Sequence, residues 1–507
     1  MRTHLLTLRL CTVLFFFVAC QNVQAQSSFT FPPLDSLARD SVKDGGYIES
    51  PFCLHLPWEY ISGTLPVMYI KTEGLKPIVS KTEYLSGSYY IDNMGHGEVP
   101  SVGSNQSPLS LQIKGRGNST WKKSPKKPFR LKLTDKVNLL GNGKSKHYVL
   151  LAGDEGSGFL KDAVGFEVAR RIGFSFTPRC APIEVVLNGD YRGLYLLCEK
   201  IRVDKNHVNV TEQENNDTIA ENITGGWLLE IDSNPDDNQF EITEVNVNKM
   251  KFVVHSPDTL SKQQWNYIID YVQRVDSAIF SKNPLSRKWE SLIDTEALAK
   301  FYLMNEVVDN FEAFSGSCFM HKERGDDTRL IFGPVWDFGS SFGRHGQSFI
   351  YEPPLFYAHN KWIEQLAKFA YFQQAVITLW HEIYPDKLQG MEDYIEQYAN
   401  RIYSAAIQDN KRWPESKSMG KQLLSQALRM SNRFMAKVSW LNEQWETFHW
   451  PGDVNGDERV NVSDLTTLVN MILGITEMNQ LYADVNDDGR VNVSDLTALI
   501  NIILGIY

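Results

Sequence analysis

Apolar and polar positions alternate along the first half of the chain, the period that sends successive side chains to opposite faces of a strand. Residues 65–72 and 89–92 read as strands on this ground. Leu109, Leu111 and Ile113 share one face of a further strand, and Phe129, Leu131 and Leu133 share one face of the next. Residues 93–108, rich in Gly, Ser, Asn and Pro, read as a loop. Residues 183–187 and 191–200 flank Asn188-Gly189, a dipeptide that takes the two left-handed positions of a tight hairpin.

Elsewhere the period lengthens to that of a helix. Residues 161–172 carry Ala163, Phe166, Val168 and Ile172 as an apolar stripe, and residues 294–310 and 361–445 continue the pattern, with Trp362, Leu366 and Phe369 at helical spacing. Strand-like runs followed by helical runs predict one large α+β domain over residues 61–450, strand-rich in its N-terminal part and helical in its C-terminal part. A length of 507 residues leaves room for a second, smaller unit.

That unit announces itself as a duplication near the C-terminus. Residues 453–464, DVNGDERVNVSD, recur as residues 484–495, DVNDDGRVNVSD. Calcium takes hard oxygen donors, and a tight loop delivers them from positions one, three, five, seven, nine and twelve. Asp453, Asn455, Asp457, Asn461 and Asp464 supply side-chain oxygens in the first copy, with the carbonyl of Arg459. Asp484, Asn486, Asp488, Asn492 and Asp495, with the carbonyl of Arg490, do so in the second. A solvated acidic turn would not repeat this spacing twice in register.

An apolar helix follows each loop, over residues 465–473 and 496–504, and no incoming helix is expected before either. Glu458 occupies the sixth loop position, where the sharp turn favours the glycine present as Gly489 in the second copy. A duplicated loop followed by a single helix resembles the type I dockerin module, over residues 452–507. The resemblance implies a small all-α unit holding two calcium ions and binding a cohesin-bearing scaffold protein. The implied contact residues, at loop positions ten and eleven, are Val462 and Ser463 in one copy and Val493 and Ser494 in the other. Their identity in the two copies implies a pseudo-symmetric module able to dock in two orientations; small and apolar residues in a turn also serve packing.

Composition changes this picture in two ways. A formal charge of −10 argues against a chain-wide grip on nucleic acid, which rests on many Lys and Arg at phosphates. Arg2 and Arg9 precede an apolar run over residues 10–19, and Val23-Gln24-Ala25 offers a small-residue cleavage site, so residues 1–25 read as a signal peptide and 26–60 as an extension. The alternative at this end is a lipid anchor on Cys20. No later segment has the length and apolarity of a transmembrane helix. After such cleavage Cys53, Cys180, Cys198 and Cys318 remain, none at metal-ligand spacing. In an oxidising space a disulfide is permitted, and Cys180 and Cys198, flanking the expected hairpin, are the first candidates.

The polar faces of the strands around residue 120 carry the remaining chemistry. Lys114 with Arg116, and Arg130 with Lys132, lie opposite the apolar positions. A hairpin of these strands would gather four cations beside a glycine-containing turn, which suits phosphate oxygens, although a solvated sheet face has the same composition.

The strings KGRGNSTW (114–121) and KPFRLK (127–132) are similar to the hallmark of the CotH spore-coat kinase family. Residues 147–154, 193–199, 226–232, 305–306 and 333–342 also look like family segments, in family order. The resemblance implies a remote relative of protein kinases, binding ATP with Mg²⁺ or Mn²⁺ and phosphorylating Ser or Thr of a secreted protein. Phosphoryl transfer needs acids to hold metal and orient the hydroxyl, and the candidates are Glu306, Asp309, Glu312 and Asp337. Glu312 and Asp337 are the expected catalytic residues, Asp337 and Asp309 the expected metal ligands, and Lys114, Arg116, Arg130 and Lys132 the expected phosphate binders.

Two positions depart from the family pattern. Glu312 stands where members thought active commonly have Asp, and Trp336-Asp337-Phe338-Gly339 replaces a string with a second Asp at its end. An extra methylene displaces an oxygen by about a bond length, which matters where positioning is the catalysis. Two readings follow. One is an ATP-dependent phosphotransferase. The other is a non-catalytic binding module that keeps the kinase-like fold and is carried by a dockerin into an extracellular polysaccharide-degrading assembly.

Overall fold

The computed structural model describes residues 55–153, 155–156, 158–232, 239–242, 250–281, 287–343, 361–367, 369–414, 417–418, 420–446, 452–457, 459–486 and 488–504. The expected signal peptide, Cys20, Cys53 and Glu458 lie outside these residues.

A short helix, α1 (Pro57–Tyr60), leads into β1 (Val67–Thr72), β2 (Leu85–Asp92) and β3 (Leu109–Gly115). Then come α2 (Ser119–Lys123), β4 (Phe129–Val137), β5 (Ser145–Leu151), the two-residue β6 (Glu155–Gly156) and α3 (Gly158–Ile172). The hairpin β7 (Cys180–Leu187) and β8 (Asp190–Glu199) turns at Asn188 and Gly189, with φ of 54° and 85° as the sequence requires. Seven strands close into a barrel in the order β1-β2-β3-β4-β5-β8-β7. Every pair is antiparallel except the closing one, where Val67 to Ile70 of β1 run parallel to Glu184 to Leu187 of β7.

The alternation read from the sequence fills this barrel. Leu111, Ile113, Phe129, Leu131 and Leu133 are buried in one core with Tyr148, Leu150, Ile183, Val185, Tyr195 and Leu197. Burying that face leaves the polar positions of β3 and β4 outside, as the pleat demands. The strands β3 and β4 pair as expected, but the turn between them is long enough to contain α2.

A second sheet follows, built from β9 (Trp227–Ile231), β10 (Gln239–Ile242), β11 (Met250–Ser256), β12 (Cys318–Lys322) and β13 (Leu330–Phe332), in the order β10-β11-β9-β12-β13. Between β11 and β12 run α4 (Lys262–Ile279) and α5 (Thr295–Val307). The strands β11 and β12 and the helix α4, absent from the sequence reading, complete the centre of the domain. Helices dominate after residue 360: α6 (Lys361–Leu366), α7 (Ala370–Ile383), α8 (Met391–Arg412) and α9 (Leu423–Glu446), with the short β14 (Lys417–Ser418) pairing β6. One large core joins α3 to the second sheet and to α4 through α9, and Trp362, Leu366 and Phe369 lie in it. The protein is thus mixed α+β, with strands gathered toward the N-terminal part and helices toward the C-terminal part.

At the tail, α10 (Val462–Ile472) and α12 (Val493–Leu504) pack on each other around Val454, Leu468, Met471, Ala483, Val485 and Leu499. Both helices begin three residues earlier than expected, directly on the loops. The one-turn α11 (Gln480–Ala483) precedes the second loop and corrects the expectation of no incoming helix. Its reason is packing: Ala483 is fully buried in this small core.

Candidate functional site

Register places Lys114 opposite Arg130 across β3 and β4, and Lys132 opposite His147 across β4 and β5. Arg116 continues the row beyond the strand, its N–H donating to the Pro128 carbonyl at 3.2 Å. The four expected cations therefore share the outer face, with Lys132 exposed and the others half-buried. Lys200 joins them, since its N–H donates to the His147 carbonyl at 3.4 Å.

This crowding of positive charge perturbs the titrating members. Burial, then Arg130, Lys114 and Arg202, pull the Lys200 ammonium down to about 7, with Asp258 opposing. Burial and the charges of Lys200, Arg202, Arg130 and Lys132 pull His147 down to about 4. The buried Nε of Arg130 has no hydrogen-bond partner among the described residues. A face that holds neutral groups where it would otherwise hold more cations is suited to an anion.

The turn between β3 and β4 explains its own motif. Trp121 is buried over Gly115, where a Cβ would come within 2.4 Å of the indole ring. Lys127 donates to the Trp121 and Ser124 carbonyls, both at 2.6 Å, and holds the turn closed. Lys126 is fully buried against Asp409 of α8 at 2.6 Å. These two lysines are internal ties, whereas Lys122 and Lys123 are exposed.

Across from the barrel face, the segment 336–339 docks on the start of α3. The Asp162 carboxylate accepts the Phe338 N–H at 3.0 Å, and the Lys161 ammonium donates to the Gly339 carbonyl at 2.9 Å. Phe338 stands on Gly165, where a Cβ would fall 2.4 Å from the ring. Asp337 is exposed, in the left-handed region at φ 59°. Asp309 and Phe342, at 57° and 55°, share that conformation, which bulky residues rarely adopt and which concentrates at sites under constraint.

Arg116 bridges the two sides. Its guanidinium lies 5.8 Å over the Trp336 ring. Burial pulls it below its ordinary range, and the charges of Asp337 and Asp162 oppose that shift. Burial and the facing Asp337 charge push the Asp162 carboxyl up to about 6, against the Phe338 N–H and Arg116. Two carboxylates beside a guanidinium form a donor set that suits a divalent cation carrying phosphate. Asp162, Lys200, His147 and Arg202 were not singled out from sequence. The alternation of residues 191–200 could have placed Lys200 outside; nothing local marks Asp162.

Of the other acids, Glu306 and Asp309 lie at the end of α5 and are tied to α9. Glu306 is fully buried and pairs with Lys437 at 2.6 Å, and burial still raises its carboxyl. Asp309 pairs with Arg433 at 2.6 Å. Arg433 and Lys437 are four apart and so share one face of the helix. Glu312 accepts a hydrogen bond from the Ser340 hydroxyl, which ties it to the turn after Phe338. His381 is exposed on α7.

The tail loops repeat one hydrogen-bond scheme. The N–H of Asp457 reaches Asp453 Oδ1 at 3.1 Å, and that of Asp488 reaches Asp484 Oδ1 at 3.1 Å. Asp457 and Asp488 then accept from the N–H of Arg459 and Arg490, at 3.0 and 2.9 Å. At the twelfth position, Asp464 accepts from Asn455 and Asn461, and Asp495 from Val485, Asn486 and Asn492. Asp464 and Asp495 are fully buried, yet among the described residues neither pairs with a Lys or Arg. A buried carboxylate held only by N–H groups calls for a cation, and the oxygen set fits calcium.

Val462 and Val493 are about two-thirds exposed, 65% and 66%, which removes packing as their role. Among the described residues no helix is long and apolar enough to cross a membrane.

Comparison with curated proteins gives no match. The family model described as CotH kinase protein matches residues 113–446, and that described as Dockerin type I domain matches residues 451–504. Type I dockerins generally bind calcium and pair with cohesins, and proteins that bear them are typically extracellular. With well over half of its length matched, the chain belongs to the CotH kinase protein family and carries a type I dockerin domain at its C-terminal end.

Proposed function

We propose that the large domain is a secreted, kinase-like phosphotransferase that moves a phosphoryl group from ATP to Ser or Thr of a protein, and that the dockerin tethers it to a cohesin-bearing scaffold. The observation that carries this reading is the meeting of Arg116, Asp162 and Asp337, drawn from three distant segments, beside the cationic face of Lys114, Arg130, Lys132 and Lys200.

ATP with Mg²⁺ or Mn²⁺ would supply the transferable phosphoryl group and part of the charge neutralisation. The barrel cations bind phosphate oxygens, and Arg116, steadied by Trp336, sits nearest the acids. Asp337 and Asp162 would hold the metal, whereas Asp309, the other expected ligand, is engaged in its ion pair with Arg433. Glu312, oriented by the Ser340 hydroxyl, accepts the proton of the attacking hydroxyl. In the tail, Asp453, Asn455, Asp457, Arg459, Asn461 and Asp464 hold one calcium ion, and their counterparts from Asp484 to Asp495 hold the second. Val462, Ser463, Val493 and Ser494 face the cohesin. Cleavage after residue 25 releases the mature chain, whose large domain spans residues 61–450.

The second reading, a non-catalytic binding module, draws support from Gly339 and from the ion pairs that already neutralise Glu306 and Asp309. Incubation of the purified chain with radiolabelled ATP and Mg²⁺ or Mn²⁺ separates the two. Label incorporated by the wild type and lost in Asp337→Ala supports transfer. Absence of nucleotide binding with either metal supports the module.

A further inference from the structure

Cys180 opens β7 and Cys198 lies near the end of β8, and the register sets their Cα atoms directly opposite each other. The flanking pair, Arg179 and Glu199, is hydrogen-bonded, with the Glu199 N–H on the Arg179 carbonyl at 3.0 Å. Hydrogen-bonded and non-hydrogen-bonded pairs alternate along an antiparallel ladder, so Cys180 and Cys198 form a non-hydrogen-bonded pair. Such pairs bring Cα atoms to about 4.5 Å, inside the range of about 4.4–6.8 Å that a disulfide spans. Both residues are free thiols here. Directly opposed residues project to the same face of the sheet, so the two side chains are neighbours there, and the nearby Cys180 adds to burial in raising the Cys198 thiol.

We infer that Cys180 and Cys198 are a cross-strand thiol pair that closes to a disulfide by exchange with an external disulfide. Cys180 is half-buried and Cys198 fully buried, so the exchange begins at Cys180. The Cys180 sulfur attacks the external disulfide, forming a mixed disulfide and releasing one thiol. The Cys198 sulfur then attacks the Cys180 sulfur and releases the second thiol. Both protein protons leave on the released thiols, the cysteines are oxidised, and the external disulfide is reduced. The third described cysteine, Cys318, lies on β12 opposite Ile231 and takes no part. The staple lies beside the proposed site, because Cys198 is near enough to Arg116 and Asp162 for their charges to bear on it.

The test uses the full chain, incubated with oxidised glutathione, alkylated, and digested without reduction. Mass spectrometry should recover a peptide pair joining Cys180 to Cys198 and lighter by two hydrogens than its reduced parts. The oxidised chain should also melt several degrees higher than the reduced one, and Cys180→Ser should lose that rise. Recovery of both cysteines alkylated or only glutathionylated, or of Cys180 joined to Cys53 or Cys318, overturns the pairing. The linked peptide is read without nucleotide, so its outcome is separate from that of the phosphotransferase reading.

Discussion

Lys126 and Asp409 meet at 2.6 Å with neither side chain exposed, and their contact bolts the barrel to α8. The same ammonium donates to the Leu194 carbonyl and lies within 5 Å of the Phe159 and Tyr195 rings, at 4.8 and 4.6 Å. Asp409 Oδ1 also accepts the Leu194 N–H at 2.9 Å. Gly193 leaves room for it: a Cβ there would fall 2.0 Å from that oxygen. Removing one member of a buried pair strands the other charge, which costs about 3–5 kcal/mol. Asp409→Ala should therefore destabilise the large domain by that order. Lys126→Met with Asp409→Asn keeps an acceptor for Leu194 and leaves no lone charge, so it should cost clearly less. Denaturation followed by tryptophan fluorescence decides, and a single substitution costing under about 1 kcal/mol would refute the tie.

Asp162 makes stability depend on pH with an unusual sign. Its carboxyl is raised to about 6, chiefly by burial and then by Asp337, so the folded chain holds this proton more tightly than the unfolded chain does. The contribution is complete below the ordinary carboxylate value and is lost as pH rises through about 6, at a cost on the order of 3 kcal/mol by neutral pH. Asp162→Asn keeps an oxygen for the Phe338 N–H and removes the charge. The variant should melt above the wild type near neutral pH, with the gap closing as pH falls toward 4. Added Mn²⁺ should narrow the gap by favouring the charged wild type. A gap independent of pH would show that Asp162 does not titrate as its setting requires.

Local chemistry was legible and distant chemistry was not. Asn188-Gly189 predicted its turn because two left-handed residues suffice, and the dockerin at the tail was readable because its side-chain oxygens recur at a fixed spacing along the chain, twice over. Closure of the barrel by β1 and β7 was not, since a parallel pairing across more than a hundred residues leaves no local period. In the run KKSPKK, sequence treats all four lysines alike. Burial of Lys126 is decided by a carboxylate 283 positions away, and that of Lys127 by carbonyls in its own turn. Asp162 is a polar residue on a helix otherwise largely buried, and only the docking of residues 336–339 gives it a role.

Lys200 would tie the proposed phosphate binding to proton uptake. Burial and the neighbouring cations Arg130, Lys114 and Arg202 hold its ammonium down to about 7, so near neutral pH about half the molecules lack that proton. A bound polyphosphate reverses the local charge and raises the value, and each binding event then takes up about half a proton. Calorimetry of ATP binding in buffers of different ionisation enthalpy reads this directly. Lys200→Arg, whose charge is permanent, should bind with no uptake, and Lys200→Met should bind at least tenfold more weakly. Uptake unchanged in Lys200→Arg would assign the proton elsewhere.

Asp464 and Asp495 decide the calcium question separately for each loop. Each carboxylate is buried, each spends its oxygens on N–H groups across its own loop, and neither has a cationic side chain to balance it among the described residues. Asp464 also closes the start of α10, where it and Asn461 cap each other's backbone. A cation in the loop would neutralise the charge and fix the helix start together, so binding should stabilise the tail by about 2.7 kcal/mol at a hundredfold excess over the dissociation constant. Calorimetry on the full chain should count two calcium ions in the wild type and one in Asp464→Ala or Asp495→Ala. Asp464→Asn separates charge from geometry: it keeps an oxygen for the Asn455 N–H and loses the anion, so the first site should still empty. Two ions retained by Asp464→Ala, or no uptake by the wild type, would leave the buried carboxylates without a partner and refute the assignment.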